Sequence, residues 1–488
     1  MIGKELKFLV KHSSIYGIGT VVSQAVGFFL LPLYTNYLTP ADYGVMSLIN
    51  VTVDIVGLIV TLGVVNAMSR FYFDYDDPRK QNLVVSTVYW IFVILAVFFI
   101  PLLYLLSVPF SEIIFQSKGY ENHFMVAFLG LFFGALVDIG LTYLRIKAYS
   151  VKFVQISLAR TIILIGLNIY FVAYIESGVI GIFYSTLITA LIFSLVLSIP
   201  ILVNVKTKFS YHLAKEMTIF SFPLIFSNMF RIVINQSDKY FINYFFSPFE
   251  TGIYSIAQKI GQSIHSLITS PFLQIYIPRR FEIMKRDDAK TIYSSILIYF
   301  TVILGTIGLL LSMYSHEIIS IMTTAEYYRT VKYIPLVVFS MIIFGLKYHF
   351  EIGIMIYKKT KYVAYINGVS ALLNIILNYI LIKNYTLWGA LIASNISIFV
   401  TTALNYIFSQ KLYNIDFKLT KVYKYGFLVV LCYFISTYLN VSNLYIAVPL
   451  KFVLAIFYIA SIFAFGILDN KNLSAIKRQF FQLVRKQV

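Results

Sequence analysis

The chain has 488 residues, of which 59% are hydrophobic and only 12% charged. Soluble globular proteins carry about 25% charged residues, so there is too little polar surface here to coat a water-exposed body, and the main solvent is lipid. The net charge of +18 is spread in short basic clusters between apolar runs. That spread argues against a nucleic-acid-binding domain and fits the fixing of orientation in a membrane.

A spanning helix needs about 20 mostly apolar residues. In chain order such segments run over 13–34, 43–65, 83–106, 124–144, 153–174 and 179–203. They resume over 219–243, 252–276, 291–314, 331–355, 362–382, 387–408, 424–440 and 445–467. These are spans 1 to 14. Lys4, Lys7 and Lys11 precede span 1 without a small-residue cleavage site, so it reads as a retained helix rather than a signal peptide. No intervening segment is long enough for a soluble domain. The lone Cys432, inside an apolar run, reads as an inert buried thiol.

Lys and Arg test the count. With Met1 in the cytoplasm, 29 of the 39 basic residues fall on the cytoplasmic side, Arg279 and Arg280 among them. Five, including Arg329 and Lys451, fall outside. One missed or invented helix would scramble this bias, so about fourteen spans are expected, with both termini cytoplasmic.

The sequence also repeats itself. Asn36-Tyr37-Leu38-Thr39-Pro40-Ala41-Asp42-Tyr43-Gly44 is echoed by Asn243-Tyr244-Phe245-Phe246-Ser247-Pro248-Phe249-Glu250-Thr251-Gly252, and Ser47 by Ser255. Each copy reads as a helix start, with a Thr or Ser cap, Pro in the first turn and a carboxylate two residues on. Weaker echoes follow in register: Glu112-Ile113-Ile114 with Glu317-Ile318-Ile319, Leu167-Asn168 with Leu377-Asn378, and Gly181 with Gly389. Offsets near 208 skip six spans, an even number, so the halves are parallel repeats. The expected architecture is an all-α integral membrane protein with a first lobe (1–207, spans 1–6) and a second lobe (208–412, spans 7–12). Two extra helices and a basic cytoplasmic tail complete it (413–488). Two such lobes suit alternating access around a site near mid-membrane.

Charge inside a span costs at least about 2.5 kcal/mol on insertion scales, so each instance needs a reason. Span 7 carries Asn228, Arg231, Asn235 and Asp238 on one helical face, and span 8 carries Gln258, Lys259 and Gln262. Span 2 has Asn50 and Asp54 with the same periodicity, and span 1 has Gln24. Polar stripes on the first two spans of each half point to a shared lumen. Lys239 has a plainer alternative, snorkelling to the interface. Lys347 with Glu351, and Asp138 with Arg160, could pair as structural glue. His265 and His349 read as packing groups. Arg231 is hardest to dismiss, about twelve residues or roughly 18 Å from the outer helix end. No phosphate loop, His-Glu-x-x-His or Gly-x-Ser-x-Gly sequence occurs and the outer loops are short. A carrier is therefore expected rather than an enzyme, with no catalytic residue, metal or cofactor.

Two stretches resemble the polysaccharide flippases of the multidrug/oligosaccharidyl-lipid/polysaccharide exporter superfamily. They are Leu31-Pro32-Leu33-Tyr34-Thr35 leading into the first motif, and Asn235-Gln236-Ser237-Asp238-Lys239-Tyr240-Phe241-Ile242 followed by Gly252-Ile253-Tyr254-Ser255-Ile256-Ala257. Those flippases often have Asp-Arg where this chain has Asp238-Lys239. The resemblance implies movement of an undecaprenyl-diphosphate-linked oligosaccharide, such as an O-antigen unit for lipopolysaccharide, across a bacterial inner membrane. Partner polymerase and glycosyltransferases are part of that implication. Arg231, Lys259 and Lys239 would then replace water around the diphosphate, and Asn228, Asn235, Asn50, Gln258, Gln262 and Gln24 would serve the lumen. Asp54, Asp238, Asp138, Arg160, Lys347 and Glu351 would balance charge or hold a coupling ion. A drug/cation antiporter of the same superfamily is the alternative. The loop Arg70–Lys80 lacks the Gly- and Arg-patterned motif expected of the major-facilitator fold.

Overall fold

The computed structural model describes residues 27–438 and 444–466. Gln24, most of span 1 and the basic C-terminal tail lie outside them. All secondary structure among the described residues is helical. The helices are α1 (Leu31–Tyr37), α2 (Pro40–Val60), α3 (Val64–Tyr72), α4 (Pro78–Phe115), α5 (Glu121–Ile146), α6 (Ser150–Asn168) and α7 (Val179–Val205). There follow α8 (Tyr211–Phe245), α9 (Pro248–Ile264), α10 (Ser270–Ile283), α11 (Ala289–Met313), α12 (Ser315–Met322), α13 (Ile334–Phe350) and α14 (Ile352–Ile356). The last are α15 (Lys361–Leu412), α16 (Leu419–Tyr438) and α17 (Leu444–Ala464).

Among the described residues nine helices are long and apolar enough to cross a membrane, ten if the two arms of α8 form one span. The arms, Tyr211–Pro223 and Asn228–Phe245, meet at 46°. Pro223 supplies the cause, since proline removes a helical N–H and crowds the preceding turn. α15 holds predicted spans 11 and 12 in one run. Its 52 residues would extend about 78 Å, far beyond the roughly 30 Å of hydrocarbon. Thr386, with φ 53° and ψ −134°, breaks it. Close by, a Cβ on Gly389 would stand 2.1 Å from the Leu381 carbonyl oxygen, and one on its sequence echo Gly181 would stand 3.0 Å from Phe171. Both glycines mark a tight return into the sixth span of a half.

The repeat is visible in other local details. Thr39 caps α2, its hydroxyl accepting from the Asp42 amide at 3.2 Å while the Asp42 carboxylate accepts from the Thr39 amide at 3.0 Å. Ser247 caps α9, accepting from the Glu250 amide at 3.4 Å. Tyr34 donates to Asn168 at 2.9 Å, and Asn378 donates to Ser237 at 3.2 Å. Each echoed asparagine thus bonds the first span of its own half, as parallel repeats require.

The chain packs as two compact units. One comprises residues 27–259, 322–329 and 367–397, the other residues 260–321, 330–366 and 398 onward. In the first, Val137, Leu141, Phe153, Phe193 and Leu197 interlock on α5, α6 and α7. In the second, Leu273, Tyr293, Leu297 and Ile352 form one buried cluster, and Leu309, Tyr425, Cys432 and Tyr458 another. Cys432 is buried, as expected.

Two of the cations counted for the charge bias are held by carboxylates from other helices. Arg280 is buried at the end of α10 and donates to Glu351 at 3.3 Å. Lys451, 1% exposed in α17, meets Glu317 at 2.6 Å. A carboxylate delivered by another helix can hold a cation inside the bundle.

Candidate functional site

α2, α8 and α9 bring most of the predicted polar residues together in the first unit. On α8 the spacing of Asn228, Arg231, Asn235 and Asp238 gives one stripe with two ends of different character. At one end Arg231 is exposed, and its guanidinium donates to the Asn228 side chain at 3.3 Å. Asn235 donates back to the Arg231 carbonyl at 2.8 Å. Neither contact neutralises the guanidinium charge.

At the other end Asp238 is 1% exposed and saturated with donors. One carboxylate oxygen accepts from the Lys239 amide at 2.9 Å. The other accepts from the Tyr254 hydroxyl, from Gln258 at 3.0 Å and from Ser394 at 3.4 Å. Next to it, Ser237 donates to Asn374 at 2.9 Å and accepts from Asn378, which also donates to Asn374 at 3.0 Å. Asn374 Nδ2, Asn378 Oδ1 and Gln258 Oε1 are buried and have no hydrogen-bond partner among the described residues. A carboxylate, hydroxyls and spare amide groups at one buried place can hold a small cation or water.

Lys239 is buried, at 7% exposure. Its charge neighbours are Asp238, Lys259 and Asp54. Asp54 on α2 is exposed and lies in the field of Lys239 and Arg231. One turn earlier Asn50 is exposed as well, while Thr52 and Tyr240 bond across α2 and α8 at 2.8 Å. The Lys259 ammonium lies against Gly27, 2.9 Å from where a Cβ would stand. Among the described residues Arg231, Lys239 and Lys259 form no ion pair.

The remaining predicted residues lie elsewhere. Gln258 faces Asp238, and Gln262, one turn on, is half-buried and belongs to the second unit. Asp138 on α5 has Arg160 as a charge neighbour, and Arg145 too. In the second unit Glu351 has Lys347 and Arg280 as charge neighbours, and it accepts a hydrogen bond from Arg280. His349 is fully buried against Phe272, Tyr276 and Phe300. His265 packs edge-on to Phe344. Sequence reasoning did not single out Tyr254, Ser237, Asn374 or Ser394. The pair Asn374 and Asn378, four residues apart in an apolar run, was the available signal.

A family profile described as polysaccharide biosynthesis protein matches residues 35–332, more than half of the chain. The chain belongs to that family. Two Haemophilus influenzae proteins are similar to this family member. An uncharacterized membrane protein is 24% identical over 293 residues, 58% of this chain and 67% of its own. Lsg locus putative protein 1 is 26% identical over 281 residues, 57% and 67% of the two chains. Among solved structures, the lipid II flippase MurJ in an inward closed conformation aligns with TM-score 0.66 and 16% identity, covering 91% of this chain and 98% of its own. An inward-facing multidrug resistance MATE family transporter of the MOP superfamily aligns with TM-score 0.61 and 14% identity, over 80% and 94%. At such identities the likeness is one of fold. This polysaccharide biosynthesis protein is therefore a multi-pass membrane protein whose fold is that shared by the MurJ and MATE transporters it aligns with.

Proposed function

We propose that the protein is a flippase that moves an undecaprenyl-diphosphate-linked oligosaccharide unit across the bacterial cytoplasmic membrane by alternating access, with both termini in the cytoplasm. The observation that carries this reading is the excess of unpaired cation in the first unit. Arg231, Lys239 and Lys259 form no ion pair among the described residues; Asp54 lies in the field of Arg231 and Lys239, and Asp238 is already engaged by other donors. A polyprenyl tail can remain in lipid while its diphosphate crosses, and the desolvation of that diphosphate is intolerable unless cations replace water. An arginine can grip phosphate bidentately, and Arg231 is the exposed cation of the stripe. Asn50, Asn228 and Asn235 supply amides for sugar hydroxyls. Asp54 holds the empty site's charge in balance, and the Asp238 cluster does the same or seats a coupling ion. The two lobes of the repeat, 1–207 and 208–412, would be the moving halves.

The drug/cation antiporter reading requires a plainly anionic cavity, and the residues gathered here are net cationic. Gene deletion separates the two. The expected outcome is loss of a surface polysaccharide with its lipid-linked unit retained on the inner leaflet. Normal surface glycan with raised sensitivity to cationic dyes would favour the antiporter.

A further inference from the structure

The two copies of the repeated motif meet each other. A Cβ on Gly44 would fall 1.9 Å from the Pro248 carbonyl oxygen, and a Cβ on Gly252 would fall 1.8 Å from the Pro40 carbonyl oxygen. Ser255 donates to Ser47 at 2.9 Å. Residues at equal offset thus face across a seam between the start of α2 and the start of α9. Only glycine allows backbones this close.

Residues 322–329 bind both sides of that seam. Thr35 donates to the Met322 carbonyl at 2.9 Å, and Thr324 donates to the Thr35 carbonyl at 3.3 Å. Tyr327, fully buried, donates to the Leu38 carbonyl at 2.8 Å and packs edge-on against Tyr43. These contacts anchor the segment on the first motif. On the second motif Arg329 pairs with Glu250 at 3.1 Å, and its guanidinium lies 6.0 Å from the centre of the Phe249 ring. The two grips differ in kind. Tyr327 is dry, whereas the Arg329 and Glu250 side chains are 53% and 22% exposed. A partly hydrated ion pair is weak and screened by salt, so it is the end that releases first.

We propose that residues 322–329 form a latch across this seam, permanently seated on the first motif through Tyr327 and released from the second by breaking Arg329–Glu250 when α2 and α9 part. The latch rests on the alternating-access reading, but its test uses no substrate. The full chain, with Cys432→Ser and Ser255→Cys, would be purified in detergent and labelled with a hydrophilic maleimide. Arg329→Ala and Glu250→Gln should each speed labelling roughly two- to fivefold, the range open to an exposed pair. The exchange Arg329→Glu with Glu250→Arg should restore slow labelling, which a purely steric role for either side chain would not do. With the latch residues unaltered, raising salt from low ionic strength to about 1 M, where the screening length is near 3 Å, should speed labelling. That acceleration should vanish in Arg329→Ala. Unchanged rates in both single variants, an exchange as fast as the singles, or labelling indifferent to salt would each overturn the latch. A protein that loses latch control but still requires Arg231 for export would leave the proposed function standing.

Discussion

The two units treat the charges in their helices in opposite ways. In the second, Arg280 meets Glu351 at 3.3 Å and Lys451 meets Glu317 at 2.6 Å, all four side chains under 10% exposed. In the first, Arg231, Lys239 and Lys259 have no such partner among the described residues, while Asp238, next to Lys239 in the chain, is engaged by Tyr254, Gln258 and Ser394 instead. A closed ion pair fixes helices to one another. An unpartnered cation at mid-span is a standing cost, tolerable where an anion is to be received. The comparison teaches that charge in a span is not by itself a sign of transport; the state of its partner decides.

The sharpest way to break the comparison is to open a pair in the second unit. Arg280→Ala should lower stability by about 3–5 kcal/mol, the usual cost of stranding one member of a buried pair. Arg280→Met with Glu351→Leu should recover most of it. Thermal unfolding in detergent reads both, and equal melting of the single variant and the parent would remove the distinction between the units.

The converse change comes next. Arg231→Ala should leave melting nearly unaltered and reduce export by roughly 10- to 100-fold, the worth of a hydrogen bond to a charged group. Arg231→Lys should retain part, because the charge survives without the planar fork. Rescue of Arg231→Ala by Asp54→Asn would mean that Arg231 only neutralises Asp54, and the receiving role would be lost.

A smaller effect is expected at Asp238→Asn, which keeps the shape but gives up the charge. Stability should fall by about 1–3 kcal/mol, the usual cost of leaving a buried polar group without its partner. If the cluster seats a coupling ion, export should also lose its dependence on that ion, assayed by exchanging sodium and proton gradients. A stability change with gradient dependence intact would leave only the charge-balancing role.

The smallest effect should come from Glu112 and Lys118, an exposed pair at 3.3 Å. Lys118→Ala should shift stability by no more than about 0.5 kcal/mol and leave export unchanged. A large change there would show that exposed pairs matter here as much as buried ones.

The sequence by itself determined the membrane class, the all-helical character of the described segments, the parallel repeat and the polar stripe of α8, because all four are written in local composition or periodicity. Apolar length announces a span, a 3.6-residue period places Asn228, Arg231, Asn235 and Asp238 on one face, and capping at Thr39 and Ser247 depends on neighbours within three residues. The tertiary structure alone decided which charges are free. Asp238 is satisfied by Ser394, 156 residues away, Lys451 by Glu317, 134 away, and Arg280 by Glu351, 71 away. It also decided where the two copies of the motif meet, since Gly44 and Gly252 come together only when α2 and α9 cross. Partnership across helices depends on packing and not on order along the chain, and no periodicity in the sequence records it.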